Sequence, residues 1–268
     1  MTLRYLQRPG YRLAYRHTPG RGPTVVWLGG FRSDMGGTKA EVLAAWAERE
    51  RRSFVRFDYF GHGGSEGRFE DGTVGRWRED ALAVVDQLTD GPLVLVGSSM
   101  GGWIACLAAL ARPERIGALV LIAPAADFTS ALMEAGMSAA ARAEMAETGI
   151  WLRPSDYGDP YPITRALIED GRAWSVLGEA RIAFAGPVRI LQGEGDPDVP
   201  WRHALRIVDA LASPDVVFTL IKDGDHRLSR PQDLDRLLAA VAEVCAQQAP
   251  PSLGEAGRAA AGGSPRDG

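Results

Sequence analysis

LVLVGSSMGGWIACLAAL, residues 93–110, runs an apolar, β-branched segment straight into Gly97-Ser98-Ser99-Met100-Gly101 and continues as an amphipathic helix with no linker between. This is G-x-S-x-G set between a buried strand and a helix, the context in which the middle serine sits on a tight, exposed turn at the strand end. Ser99 must then adopt a strained backbone for its Oγ to project from the sheet, and a side chain at position 97 or 101 would strike the neighbouring strand or helix. Ser99 also stands at a helix N-terminus, where the positive end of the dipole favours a developing oxyanion. The plain alternative is a glycine-rich turn without chemistry. Ser98 occupies the variable position of the motif and is the weaker candidate.

Working outward, short apolar runs recur with helical patterns between them, which is how repeated βαβ units appear in a sequence. Strands are expected at Arg12 to His17, Thr24 to Leu28, Phe54 to Phe57, Leu93 to Val96, Ala118 to Ile122, Val188 to Leu191 and Val216 to Ile221. From Thr24 onward they are apolar on both faces, as buried parallel strands are. Leu3 to Leu6 and Arg12 to His17 alternate more and are separated by Pro9 and Gly10, so they read as an antiparallel hairpin on one edge of the sheet. Thr38 with Glu41, and Ser229 with Gln232, have the spacing of capping boxes ahead of apolar helical patterns. Arg78 to Leu88, Gly102 to Ala111 and Trp201 to Leu211 supply further helices. The expected architecture is α/β: a mostly parallel, eight-stranded sheet with helices on both faces.

About 60 residues separate the strand ending at Ile122 from the one opening near Pro187, too many for a plain crossover. Helical patterns around Ser130 to Glu147 and Arg165 to Leu177 flank WLRPSDYGDPYP, so the segment, about 124–186, is expected to fold over the sheet as a small cap. Residues 1–247 then form one domain. Residues 248–268, rich in Ala, Gly and Pro without apolar period, are expected to be a disordered tail.

Composition agrees with a globular protein: 46% hydrophobic and 24% charged, with 32 Gly and 17 Pro. Thirty basic residues oppose 34 acidic ones, which argues against a broad nucleic-acid surface. Cys106 and Cys245 each lie in an apolar helical pattern and read as reduced core thiols. The N-terminus shows no apolar signal core, and no apolar run is long enough to span a bilayer. The expected location is the cytoplasm, and the expected state a monomer or weak homodimer.

A serine nucleophile needs a base, and there are four histidines to supply it. His17 lies in the edge hairpin, His203 near a helix start and His62 in the loop FGHGGSEG. His226 follows the last strand at the sheet edge where Ser99 must be, and is the expected general base, with His62 the runner-up. The carboxylate that orients it should fall between them in the chain. Asp196, directly past a strand end in QGEGDPDVP, is preferred over Glu194 and Asp198, which read as solvated turn residues. The oxyanion donors are expected to be the N–H groups of Met100 and, after Gly29-Gly30, Phe31, with Arg32 the alternative. Gly36-Gly37 lacks the Lys-Ser or Lys-Thr of a phosphate loop and reads as flexibility at a helix start. Asp58 and its glycines shape the loop above the sheet. No spacing resembles a metal-ligand set, and no cofactor is expected.

Taken together, WLGGF, RFDYFGHGGS, VGSSMGG, QGEGDPDVP and GDH resemble, in order, the α/β-hydrolase superfamily. TVGRWRED, GSSMGGW, ARPERI, DVPW and DHRLS resemble more narrowly the subfamily of the mitochondrial α/β-hydrolase-domain thioesterase, across approximately residues 23–247. The resemblance implies an acyl-protein thioesterase, also associated with acyl glucuronides, with a triad at Ser99, Asp196 and His226. GGF stands where other members often carry Pro-Gly or His-Gly, and the missing presequence would suit a bacterial member. The expected activity is hydrolysis of an acyl ester or thioester, of a small molecule or an acylated protein, with Trp151, Tyr157, Tyr161 and Trp174 available to an acyl pocket. The rivals are an amide hydrolase of aminopeptidase type, with Glu169 or Asp170 reading an amine, and a slow-turnover ligand receptor.

Overall fold

The computed structural model describes residues 2–154, 160–178 and 181–248. Eight strands form one sheet in the order β1-β2-β4-β3-β5-β6-β9-β10. β1 (Arg4–Arg8) and β2 (Tyr11–Thr18) make the antiparallel edge hairpin, and β2 pairs antiparallel with β4 (Arg52–Phe57). β3 (Arg21–Leu28), β5 (Leu93–Ser98), β6 (Ile116–Ile122), β9 (Val188–Gly193) and β10 (Val216–Ile221) continue the sheet in parallel.

Alternation along the buried strands separates two cores. Leu93 and Leu95 join Leu119 and Leu121 on the face covered by α2 (Val74–Leu88) and α3 (Met100–Ala111). Val94 and Val96 join Val120 and Ile122 on the face covered by α1 (Thr38–Arg49) and α7 (Pro231–Gln247). Burial on both faces is why these strands are apolar throughout. Register aligns their carboxyl ends: Leu28 pairs with Gly97, Ser98 with Ile122, Ile122 with Leu191, and Gly193 with Ile221. Loops leaving that edge therefore converge.

Several boundaries differ from expectation. Gly37, not Thr38, holds the N-cap position of α1, so no Thr38–Glu41 box forms, and Glu41 instead reaches Arg56 at 2.7 Å. The box at α7 sits one residue later, where the Asp233 carboxylate accepts from the Arg230 amide. α2 begins at Val74, capped by Thr73, because Trp77 packs inward with no exposure and extends the apolar stripe beyond Arg78.

Between β6 and β9 the cap carries a π-helical turn (Thr129–Glu134), α4 (Ala139–Thr148) and α5 (Arg165–Ala173). It adds a two-stranded antiparallel sheet, β7 (Ile150–Arg153) with β8 (Tyr161–Thr164), where the sequence reads as a Pro- and Gly-rich connection. Four-residue strands with Pro162 among them have too little period to be seen in one dimension. α5 stops before Leu177 because the amides of Val176 and Leu177 turn to the Asp127 carboxylate, at 2.9 and 3.0 Å. α6 (Trp201–Ala210) completes the crossover to β10. Tyr157 and residues 249–268 lie outside the described residues. Among the described residues no helix is long and apolar enough to cross a membrane.

Candidate active site

The site is assembled from four loops at the aligned carboxyl edge. β5 ends at Ser98 and α3 begins at Met100, leaving Ser99 alone between them at φ 54°, ψ −117°. A non-glycine residue held there costs about 1–3 kcal/mol, which its surroundings must offset. The Ser99 amide donates to Ile122 O at 2.8 Å, and its carbonyl accepts from Gly102 and Ala125 at 2.9 and 3.0 Å. The two glycines are required by close approach: a Cβ at Gly101 would lie 2.0 Å from Leu28 O, and one at Gly97 would lie 2.3 Å from Gly101 O.

Past β9, Asp196 has a fully buried side chain, and past β10, His226 remains partly exposed. His226 Nδ1–H donates to Asp196 Oδ2 at 2.8 Å, which leaves Nε2 as the basic nitrogen. The other oxygen, Oδ1, accepts from the amides of Asp198 and Val199, both at 2.9 Å. Gln192, fully buried on β9, donates from Nε2 to Asp196 Oδ2 at 3.2 Å and to Val199 O at 3.0 Å. Its part in holding the carboxylate is invisible in the sequence, where it is one polar residue in an apolar strand. Of the competing acids, Glu194 pairs with Lys222 at 2.7 Å, and Asp198 faces Arg153 at 3.9 Å.

After β3, Phe31 is set among the rings of Phe69, Trp77, Phe128 and Tyr161, with centroids 4.8 to 6.2 Å away. The Arg32 amide is already engaged, donating to His62 Nε2 at 3.2 Å. His62 Nδ1–H in turn donates to Phe60 O, and burial pushes the imidazole down to about 4. A neutral, doubly bonded His62 is thus a brace beneath the loop. His203 donates to Ala126 O at 2.7 Å, and His17 contacts Ser53, so neither joins the site. Among the described residues, the amides of Phe31 and Met100 find no acceptor. Asp58 joins the loops after β3 and β4 by accepting from Met35 and Gly64 at 2.6 and 2.8 Å, and burial raises its carboxyl.

Phe31, Ser99, Met100 and His226 line one cavity of about 540 Å³. Ala125, Phe128, Leu132 and Met133 give it an apolar side. Of the cap aromatics named from the sequence, Tyr161 lines it, whereas Trp174 packs on Gly75 and stacks with Arg78. Glu169 lies instead on a second hollow with Arg142 and Arg165, and Asp170 binds the Gly75 amide at 2.7 Å. Asp196, Asp198 and His226 bring one ligand atom each within 4.8 Å of one another. The Asp196 oxygens already accept from two amides, Gln192 and the imidazole.

Residues 22–167 match the family model described as "Serine aminopeptidase, S33". Over 246 residues the chain is 36% identical to "Palmitoyl-protein thioesterase ABHD10, mitochondrial" of Rattus norvegicus, covering 91% of this chain and 82% of that protein. Among solved structures, a putative hydrolase from Agrobacterium vitis S4 superposes with a TM-score of 0.86 at 46% identity, covering 91% of this chain and 98% of that one. α/β hydrolase domain-containing protein 10 from mouse superposes with a TM-score of 0.85 at 34% identity, covering 93% and 100%.

Proposed function

The chain belongs to the α/β-hydrolase family of the ABHD10 palmitoyl-protein thioesterases, and from that premise we propose that it is a serine hydrolase of acyl thioesters and esters working through an acyl-enzyme. The observation that carries the reading is the 2.8 Å bond from His226 Nδ1 to the buried Asp196 Oδ2, with His226 lining the same cavity as the strained Ser99.

In this reading Ser99 Oγ attacks the acyl carbonyl while His226 Nε2 takes its proton, and Asp196 stabilises the imidazolium. The oxyanion of the tetrahedral intermediate accepts from the Phe31 and Met100 amides, which have no other call on them. Collapse breaks the bond to the leaving sulfur or oxygen, which receives the proton from His226. Water, activated by the same imidazole, then releases the acid and restores Ser99. The apolar side formed by Phe128, Leu132, Met133 and Tyr161 suits the acyl chain. Palmitoyl-protein thioesters and acyl glucuronides both fall within this reaction class.

The family model's description favours a second reading, hydrolysis of an aminoacyl amide. The cap acids suited to a substrate amine, Glu169 and Asp170, do not line the cavity, which weighs towards esters and thioesters. A panel of thiol, alcohol, glucuronide and amide leaving groups at fixed acyl chain tests the assignment. Thioester or ester turnover should dominate, and Ser99→Ala should lower kcat on the order of 10⁶-fold. Near wild-type turnover by Ser99→Ala, or failure of a fluorophosphonate to label Ser99, would sink it.

A further inference from the structure

We propose that His62 is a positioning residue for catalysis, which aims the Phe31 N–H at the oxyanion by fixing both the backbone and the ring of the loop after β3. The inference rests on the hydrolase reading above. It gives a part in that reaction to a buried residue that does not itself line the cavity.

The Ser33 amide donates to Gly30 O at 3.2 Å, which closes a β-turn with Phe31 and Arg32 at its centre. Arg32 sits at φ 57° while Phe31 stays at negative φ, the geometry of a type II turn. Glycine suits the second central position of that turn, so an arginine there is strained. The relaxed alternative is a type I turn, reached by rotating the peptide between Phe31 and Arg32. That rotation changes ψ of Phe31, the residue whose N–H serves as donor. The Arg32 N–H belongs to the rotating peptide, and it donates to His62 Nε2 at 3.2 Å. One bond to the imidazole therefore selects the strained turn over the relaxed one.

Side chains repeat the constraint. Phe31 packs on Phe69 and Trp77, with ring centroids at 4.8 and 5.8 Å. His62 meets the same two rings at 5.2 and 5.3 Å. The imidazole is thus set against the aromatic bed of Phe31 as well as bonded to its turn. Gly30 brings this turn close over the nucleophile, where an added Cβ would lie 3.5 Å from Ser99 Cβ. A small displacement of the turn then changes the aim of its N–H on a carbonyl bound at Ser99.

His62 can hold the turn because it is itself held. Its Nδ1–H donates to Phe60 O at 3.0 Å, which leaves the Nε2 lone pair for Arg32. Phe60 O also accepts from Trp77 Nε1 at 3.1 Å, and the Phe60 amide donates to Asp80 Oδ2 at 2.9 Å. Only a neutral ring with its hydrogen on Nδ1 satisfies both neighbours, and burial keeps it neutral. A chain of bonds thus runs from Asp80 on α2 to the turn that carries Phe31.

The experiment measures kcat and KM on an octanoyl-pantetheine thioester, together with amide exchange at Arg32, in wild type, His62→Phe and His62→Gln. His62→Phe keeps an aromatic ring and removes the acceptor. Its kcat should fall about 10- to 100-fold with KM nearly unchanged, because an oxyanion donor acts in the transition state. Inhibition by an octyl trifluoromethyl ketone, which forms a tetrahedral adduct, should weaken by the same factor. His62→Gln restores an acceptor and should recover most of kcat. Arg32→Gly, added to His62→Phe, favours the type II turn without any acceptor and should recover part of it. His62→Asn keeps a donor for Phe60 O but is too short to reach the Arg32 amide, and reads the same loss should His62→Phe not fold. Exchange at the Arg32 amide should be faster in His62→Phe and His62→Asn than in wild type. An unchanged kcat in a folded variant without the acceptor, a loss carried by KM, or no recovery from either rescue would overturn the proposal. Arg32 exchange indifferent to the loss of the acceptor would do the same. Wild type that cleaves neither thioesters nor esters would instead refute the hydrolase reading, and the exchange result would still decide whether His62 holds the turn.

Discussion

At Asp196 the important neighbour is a residue with no chemistry of its own. Gln192 and His226 donate to the same oxygen, so the glutamine shares with the imidazole the charge that orients it. Gln192→Leu keeps the volume and removes the donor. With one competitor gone, the carboxylate attracts the imidazolium more strongly, and the acid limb of the kcat/KM profile should move to higher pH. Gln192→Glu, which adds a charge, should move it further, and kcat/KM on the plateau should fall no more than about tenfold for one neutral hydrogen bond. An unmoved limb in both variants would reduce Gln192 to a packing residue.

At the scale of elements, the loop after β6 is one of the places where the cap is tied to the core. Asp127, buried and at φ 55°, accepts from Ser175 Oγ at 2.5 Å and from the amides of Val176 and Leu177. These bonds draw the chain back from α5 beside Ala125 and Phe128, which line the cavity. Asp127→Ala leaves two amides unsatisfied at about 1–3 kcal/mol each. Hydrogen exchange at Val176 and Leu177 should accelerate, and KM for long acyl chains should rise more than for acetyl substrates. Exchange unchanged at both amides would refute the tie.

The whole molecule carries its loop architecture into its acid stability. Burial holds His62 down at about 4, below its usual 6.5, so no stability difference arises above about pH 6.5, where folded and unfolded imidazoles are both neutral. Below that the unfolded chain takes up a proton that the folded chain refuses, and the associated stability is lost as pH falls to about 4. Asp80 opposes this: burial lifts it to about 6, so the folded chain binds its proton first and gains relative stability below pH 6. His62→Gln removes the first contribution and keeps the second. Its stability deficit relative to wild type in urea should narrow by about 2 kcal/mol between pH 7 and pH 5. A deficit independent of pH would show that His62 is not held neutral.

Local patterns made much of this protein legible before any coordinates. The strand, turn and helix around Ser99 follow from period and from glycines that nothing larger could replace, because Gly97 and Gly101 face backbone atoms. The central strands were readable because burial on both faces demands apolar runs, whereas the edge strand β10 keeps Val217 and Leu220 exposed; Asp196 and His226 were expected from their loops after such runs, and the structure joins them by a hydrogen bond. The absence of a box at α1, the one-residue shift of the box at α7, and a cap hairpin hidden in a Pro- and Gly-rich segment were not readable, since none has a period long enough to register. Contacts between distant segments belonged to tertiary structure alone: His62 bracing Arg32, Asp127 tying Val176 and Leu177, Trp27 set against α1 without an acceptor. A sequence records what each segment prefers, but which donors meet which acceptors is settled only when the sheet brings the loops to one edge.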